Sequence, residues 1–104
     1  MTELKGFQKK YLRGLAHKLQ PVVYIGQKGV TATVIDTLAA ALRAHELVKV
    51  KFVENKEKEA KRRFCTELEE RTGADLAGLI GHVAILFRPH PEPDKRKIVL
   101  PKRS

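Results

Sequence analysis

Residues 12–30 read Leu12-Arg13-Gly14-Leu15-Ala16-His17-Lys18-Leu19-Gln20-Pro21-Val22-Val23-Tyr24-Ile25-Gly26-Gln27-Lys28-Gly29-Val30. Here a basic amphipathic helix meets a proline stop, then a short apolar strand, then a GxxG turn, and this order decides the fold. The helix reaches back to Leu4: Leu4, Phe7, Tyr11, Leu12, Leu15 and Leu19 recur at spacings of three and four and predict one buried face over 4–19. At 100° per residue, Lys5, Lys9, Arg13 and His17 form a row on the opposite side, with Lys10 beside it. Like charges at that spacing repel. The row is therefore either a solvated face or a surface for an anionic partner.

Pro21 ends the helix, and Val22 to Ile25 has strand character. Gly26 to Gly29 turns the chain, and Thr31 is the expected N-cap of a second helix from Ala32 to about Glu46, with Val34, Ile35, Leu38, Ala41 and Leu42 toward the core. Residues 47–53 alternate: Val48, Val50 and Phe52 share one face and Lys49 and Lys51 the other, as in a strand with one covered face. Asn55 is positioned to cap a third helix from Lys56 to about Thr72. Its narrow stripe of Ala60, Phe64 and Leu68 predicts a peripheral helix stopped by Gly73. Ala74 to Ile80 and Val83 to Phe87 are expected strands separated by Gly81, the second the most buried. A polar, proline-rich segment from Pro89 leads to Ile98-Val99-Leu100, which either adds an edge strand or stays loose. The whole predicts a single α/β domain over 1–104: a small mixed sheet packed by about three helices, the GxxG loop between first strand and second helix, and a basic extension over 89–104.

Net charge is +9 on 104 residues, and its distribution carries more than its size. Residues 1–30 hold six Lys/Arg against one acid, and 89–104 hold five against two, whereas the charge-dense stretch 54–73 is balanced. Uncompensated positive charge at both ends suits a polyanion. A membrane surface fits less well, because the basic helix lacks tryptophan and spends its apolar face on the core. No apolar run approaches a membrane span and the N-terminus lacks a signal-peptide core, so a soluble, cytoplasmic protein is expected. The lone Cys65 excludes an internal disulfide and reads as a small hydrophobe beside Phe64.

Two glycines flanking two residues let backbone N–H groups approach a phosphate. The following helix N-terminus adds partial positive charge and Lys28 a full one. An ordinary tight turn has the same tetrapeptide, so the motif gains its weight from the basic row beside it. Tyr24 is the best-placed aromatic for stacking on a base, unless it belongs to the core.

Three ordered stretches, LRGLAHKLQPVVYIGQKGV, then HELVKVKFV, then LEERTGADLAGLIGHVAILFRP, together resemble the CRM domain (chloroplast RNA splicing and ribosome maturation) in its stand-alone bacterial YhbY-like form, over almost the whole chain. The resemblance implies a compact α/β RNA-binding domain related in fold to the C-terminal domain of translation initiation factor 3. It also implies association with precursors of the large ribosomal subunit, with the loop Gly26-Gln27-Lys28-Gly29 in the RNA-binding surface. Two positions depart from the family pattern: Gln27 stands where the loop's first basic residue is usual, and Phe87 replaces a tyrosine in the late motif Leu86-Phe87-Arg88.

Other chemistries find no support. His17, His45, His82 and His90 lack metal-ligand spacing, and one cysteine supplies no structural zinc site. Glu67, Glu69 and Glu70 are expected to pair with Arg63, Lys61 or Arg71 rather than to form an acid–base dyad, and no nucleophile, Walker or dinucleotide motif is present. Neither catalysis, cofactor, metal nor small-molecule substrate is expected, and a monomer is the default. The candidate RNA contacts are Lys9, Lys10 and Arg13 for phosphates, Gly26, Gln27, Lys28 and Gly29 as the clamp, Arg88 at a strand end, and Lys95, Arg96 and Lys97 as auxiliary contacts. The rival reading is a module docking on an acidic protein.

Overall fold

A computed structural model describes residues 4–54 and 57–102. In chain order it contains α1 (Gly6–Ala16), β1 (Val23–Ile25), α2 (Ala32–His45), β2 (Leu47–Phe52), α3 (Lys58–Thr72), β3 (Asp75–Ile80) and β4 (Val83–Phe87), followed by a 3₁₀ turn, Pro93–Lys95. The four strands form one sheet in the order β1-β2-β4-β3. β1 runs parallel to β2, joined through α2 as a crossover helix, while β4 is antiparallel to both β2 and β3. A compact single domain with three helices and a mixed sheet results, as the sequence predicts.

The alternation of β2 separates two cores. Val48, Val50 and Phe52 point with Val23, Ile25, Ala84 and Leu86 toward Leu38 and Leu42 of α2 and Cys65 and Leu68 of α3. On the other face α1 inserts Leu12 and Ala16 over Leu47, Ala77, Ile85 and Phe87, and Ile98 and Leu100 of the tail pack beside them. β4 is therefore covered on both faces, and four of its five residues are buried.

Local chemistry sets the boundaries. Thr31 caps α2 as expected, its Oγ1 accepting the Val34 N–H at 3.2 Å. Gly73 ends α3 in the left-handed region, φ 77°. α1 is shorter than its apolar periodicity predicts. It stops at Ala16, where the Leu19 N–H closes a last turn on the Ala16 carbonyl at 2.9 Å, and Lys49 Nζ takes the Leu19 carbonyl at 3.0 Å. Pro21 disfavours helical geometry at the preceding residue, so the chain descends early toward β1. Tyr11, Leu15 and Leu19, expected in the buried face, are exposed, because a single helix laid across four strands covers only a narrow stripe. Glu57 is the N-cap of α3; the expected Asn55 cap and Lys56 start lie outside the described residues.

Two further expectations change. Glu67 pairs with Arg71 at 3.0 Å, but Glu69 accepts the Leu76 N–H at 2.8 Å instead of an arginine. Among the described residues Lys61 pairs with no acid: buried at 7% exposure, it donates to the Gly81 carbonyl at 2.7 Å and lies 3.1 Å from His82 Nδ1, fastening the β3–β4 turn to α3. Ile98-Val99-Leu100 forms no strand, yet the tail is held. Glu46, at φ 65° between α2 and β2, is only 2% exposed, and its carboxylate accepts backbone N–H groups from His90 (2.7 Å), Lys97 (2.8 Å) and Ile98 (3.0 Å).

Candidate nucleic-acid interface

The GxxG segment leaves β1 and closes on itself, the Gly29 N–H donating to the Gly26 carbonyl at 3.0 Å. The two glycines serve different purposes. Gly29 has φ 71°, and a Cβ there would lie 3.2 Å from the ring of Phe64 on α3, which itself stacks on Phe52. Gly26 has nothing within 4 Å of the equivalent position. The turn's own hydrogen bond draws the Gly29 N–H inward, so Gln27 and Lys28 form its exposed tip. Behind them, the Thr31 cap uses the Val34 N–H and leaves the first-turn N–H groups of Ala32 and Thr33 at the positive end of α2.

Register extends this site across the sheet. Tyr24 lies beside Lys51, Lys51 beside Val83, and Val83 beside Ile80, so each of the four strands contributes one residue to a single row. The neighbours of these residues, Ile25, Val50, Ala84 and Leu79, face the α2–α3 core, so the row lies on the opposite, α1 face. It sits at the ends of the strands nearest the GxxG turn, past the C-terminus of α1, and Tyr24 and Ile80 are 55% and 60% exposed. Next to it, Arg13, His17, Lys49, Ile80, Val83 and Ile85 line a shallow cleft of about 180 Å³. Lys51, Lys49, His17 and Arg13 thus gather on this face, with Lys28 exposed on the turn beyond the end of β1 and Lys9 one helical turn farther along α1. Among the described residues the ion pairs are Arg71–Glu67 and Lys95–Glu92, so no acid neutralises a member of this group at salt-bridge distance.

The other predicted contacts divide. Lys9 is half-buried and Lys10 exposed on α1, in the row expected. Arg13 belongs to that row by number but lies inward across the sheet. Its Nη1 donates to the Ala77 carbonyl at 2.9 Å, and its Cδ would come within 2.6 Å of a Cβ on Gly78, so only glycine leaves room for it. Four guanidinium donors stay available. Arg88 bridges helices: Nη1 donates to the Thr72 carbonyl at 2.6 Å and Nη2 to the Ala39 carbonyl at 3.3 Å, and burial, with Arg43 nearby, lowers its pKa. It is a strut between α2 and α3. Lys95 pairs with Glu92 at 2.7 Å, Arg96 Nε donates to the His90 carbonyl at 2.7 Å, and Lys97 Nζ to the Ala44 carbonyl at 3.2 Å. This places the tail cations at the C-terminal end of α2, which at 1.5 Å per residue is about 20 Å from the turn.

Lys49 and Lys51 are the residues that reading the motifs missed. Their signal was present, two lysines on the outer face of an alternating strand, but only register places them beside the loop. Cys65 is fully enclosed, and burial, reinforced by the Glu69 charge, pushes its thiol pKa up to about 11. Among the described residues no group of three or more His, Cys, Asp or Glu is arranged to hold a metal ion, and no helix is long and apolar enough to cross a membrane.

Comparison with known proteins agrees with this architecture. An RNA-binding protein of Haemophilus influenzae is 41% identical over 103 residues, spanning 99% of this chain and 100% of the relative. A Bacillus subtilis protein that carries the name "Probable RNA-binding protein YqeI" is 36% identical over 98 residues, spanning 94% and 99%. The solution structure of the Staphylococcus aureus protein SAV1595 superimposes with a TM-score of 0.82 at 32% identity, covering 95% of this chain and 100% of that one. The CRS1 / YhbY (CRM) domain profile matches residues 4–88, from the first core residue before α1 to Arg88 after β4. The chain belongs to the CRS1 / YhbY (CRM) domain family.

Proposed function

We propose that this protein binds RNA through the sugar–phosphate backbone and, as a non-catalytic cytoplasmic factor, assists assembly of the large ribosomal subunit by associating with its precursors. The reading is supported by the basic residues Lys51 and Lys49 on the sheet face beside the α1 row, together with the exposed Lys28 on the GxxG turn. Lys28 and the amides around Gln27 grip one phosphate at the positive end of α2, and Lys49, Lys9 and Lys10 hold those that follow. Arg13 contributes the donors left over from its bond to Ala77. The tail cations Lys95, Arg96 and Lys97 form a separate auxiliary patch at the other end of α2, and Arg88 acts mainly by keeping α2 and α3 in place. The relatives named as RNA-binding proteins support the ligand class, and the family's association with ribosome maturation supports the precursor particle.

Titration against large-subunit rRNA fragments and length-matched duplex DNA over a salt series tests this. The expected result is saturable RNA binding that weakens by roughly a thousandfold between low and physiological salt, as release of counterions from about six phosphates requires. Equal, weak binding to both nucleic acids would refute the proposal and favour an acidic protein partner, whose capture would survive ribonuclease treatment.

A further inference from the structure

We infer that the four-strand row Tyr24–Lys51–Val83–Ile80 is a stacking platform for an unpaired nucleobase, so that the protein selects single-stranded over duplex RNA at this position. The inference rests on the RNA binding proposed above and deepens it. Three observations converge. The row is held flat by sheet register, with one residue from each strand. Its two outer members are exposed on the part of this sheet face beyond the end of α1, where Tyr24 and Ile80 keep more than half of their surface in water and Val83 is half-buried between them. Tyr24 also sits two residues before Gly26, which at strand rise is about 7 Å, so a strand with a phosphate on the GxxG turn passes close to the ring and can bring a base to it.

The composition favours a base over a peptide side chain. An exposed aromatic residue whose cross-strand neighbour is Lys51, with Lys49 two positions along the same strand and no acid in the row, pairs a π-surface with phosphate-binding charge. The Tyr24 hydroxyl donates to the Pro21 carbonyl at 3.3 Å, so the ring is restrained by its tip, leaning back along β1. Duplex RNA buries its bases in the stack and cannot offer a face to this platform, whereas a loop, bulge or single strand can.

The test measures binding of a twelve-nucleotide oligouridylate and a duplex RNA of equal length by fluorescence anisotropy, using wild type, Tyr24→Ala, Tyr24→Phe and Lys28→Ala. Circular dichroism confirms that each is folded, as an exposed position allows. Tyr24→Ala should lose roughly five- to hundredfold in affinity for the single strand, the range for one aromatic–base stack, and less than about twofold for the duplex. Tyr24→Phe keeps the ring and should stay close to wild type, while Lys28→Ala should weaken both ligands. If Tyr24→Ala binds the single strand like wild type while Lys28→Ala still weakens it, the platform is wrong and backbone binding stands, leaving the row to a protein partner. If wild type binds neither RNA, the RNA reading itself fails and the platform with it.

Discussion

Replacing Glu46 by glutamine should release the C-terminal tail from a sheet that stays folded. The carboxylate is buried and divides its acceptors: Oε1 takes the Lys97 and Ile98 N–H groups at 2.8 and 3.0 Å, and Oε2 takes that of His90 at 2.7 Å. Glutamine keeps one carbonyl oxygen but sets an amide N–H₂ against one of these donors and removes the charge from the rest. A hydrogen bond to a charged group contributes about 1.5–3 kcal/mol, so losing one and weakening the others should cost about 2–4 kcal/mol. Because the backbone of Glu46 keeps its own bonds, to the Leu42 carbonyl and from the Arg88 N–H, the strand it introduces holds its place. The loss therefore falls on the tail, which exposes Ile98 and Leu100 as it leaves. Native-state hydrogen exchange reads this directly: the amides of His90, Lys97 and Ile98 should exchange about 30- to 700-fold faster, since each 1.4 kcal/mol is tenfold, with the β2 and β4 amides still protected. Unchanged exchange at those three amides would refute the clasp.

The two loop glycines should respond unequally. Gly29→Ala forces a side chain into left-handed geometry, about 1–2 kcal/mol before the Phe64 ring moves aside, whereas Gly26→Ala should fall within about 0.5 kcal/mol of wild type. Equal urea midpoints for the two would show that Gly29 is not constrained. Cys65 should resist alkylation at about pH 8 in the native protein and react rapidly once unfolded; equal rates would contradict its burial. The same thiol loses its proton near pH 9 when unfolded and near 11 when folded. Its stabilising contribution is thus complete below pH 9 and declines as pH rises from 9 to 11. Cys65→Ala should flatten that part of the stability profile measured by denaturant unfolding.

Much of the fold was legible because local chemistry and periodicity agreed. Thr31 sits where the apolar pattern of α2 begins, β2 alternates without a break, and Gly73 marks the end of α3. What escaped depends on contacts distant in sequence. Nothing near Arg13 reveals that Gly78 leaves room for its side chain, so a residue numbered into an outward row points inward. The apolar spacing of α1 marks a face but not how much sheet lies under it, so Tyr11, Leu15 and Leu19 were expected inside. Glu46 looked like the last residue of a helix, because the amides it collects come from the tail, 44 to 52 positions later. The candidate site shows the same division. The GxxG turn and the basic helix were visible, but Lys49, Lys51 and the exposure of Tyr24 follow from strand register.

The most direct test of the central claim, that RNA phosphates lie on the GxxG turn and the basic sheet face beside α1, is the salt dependence of RNA affinity for Lys28→Ala/Lys51→Ala beside Lys95→Ala/Lys97→Ala. For a single strand each lost phosphate contact lowers the log–log slope by about 0.7, so the first pair should flatten it by about 1.4 and weaken binding, with a smaller change from the tail pair. A slope and affinity equal to wild type for Lys28→Ala/Lys51→Ala, in a protein that remains folded, would contradict the account.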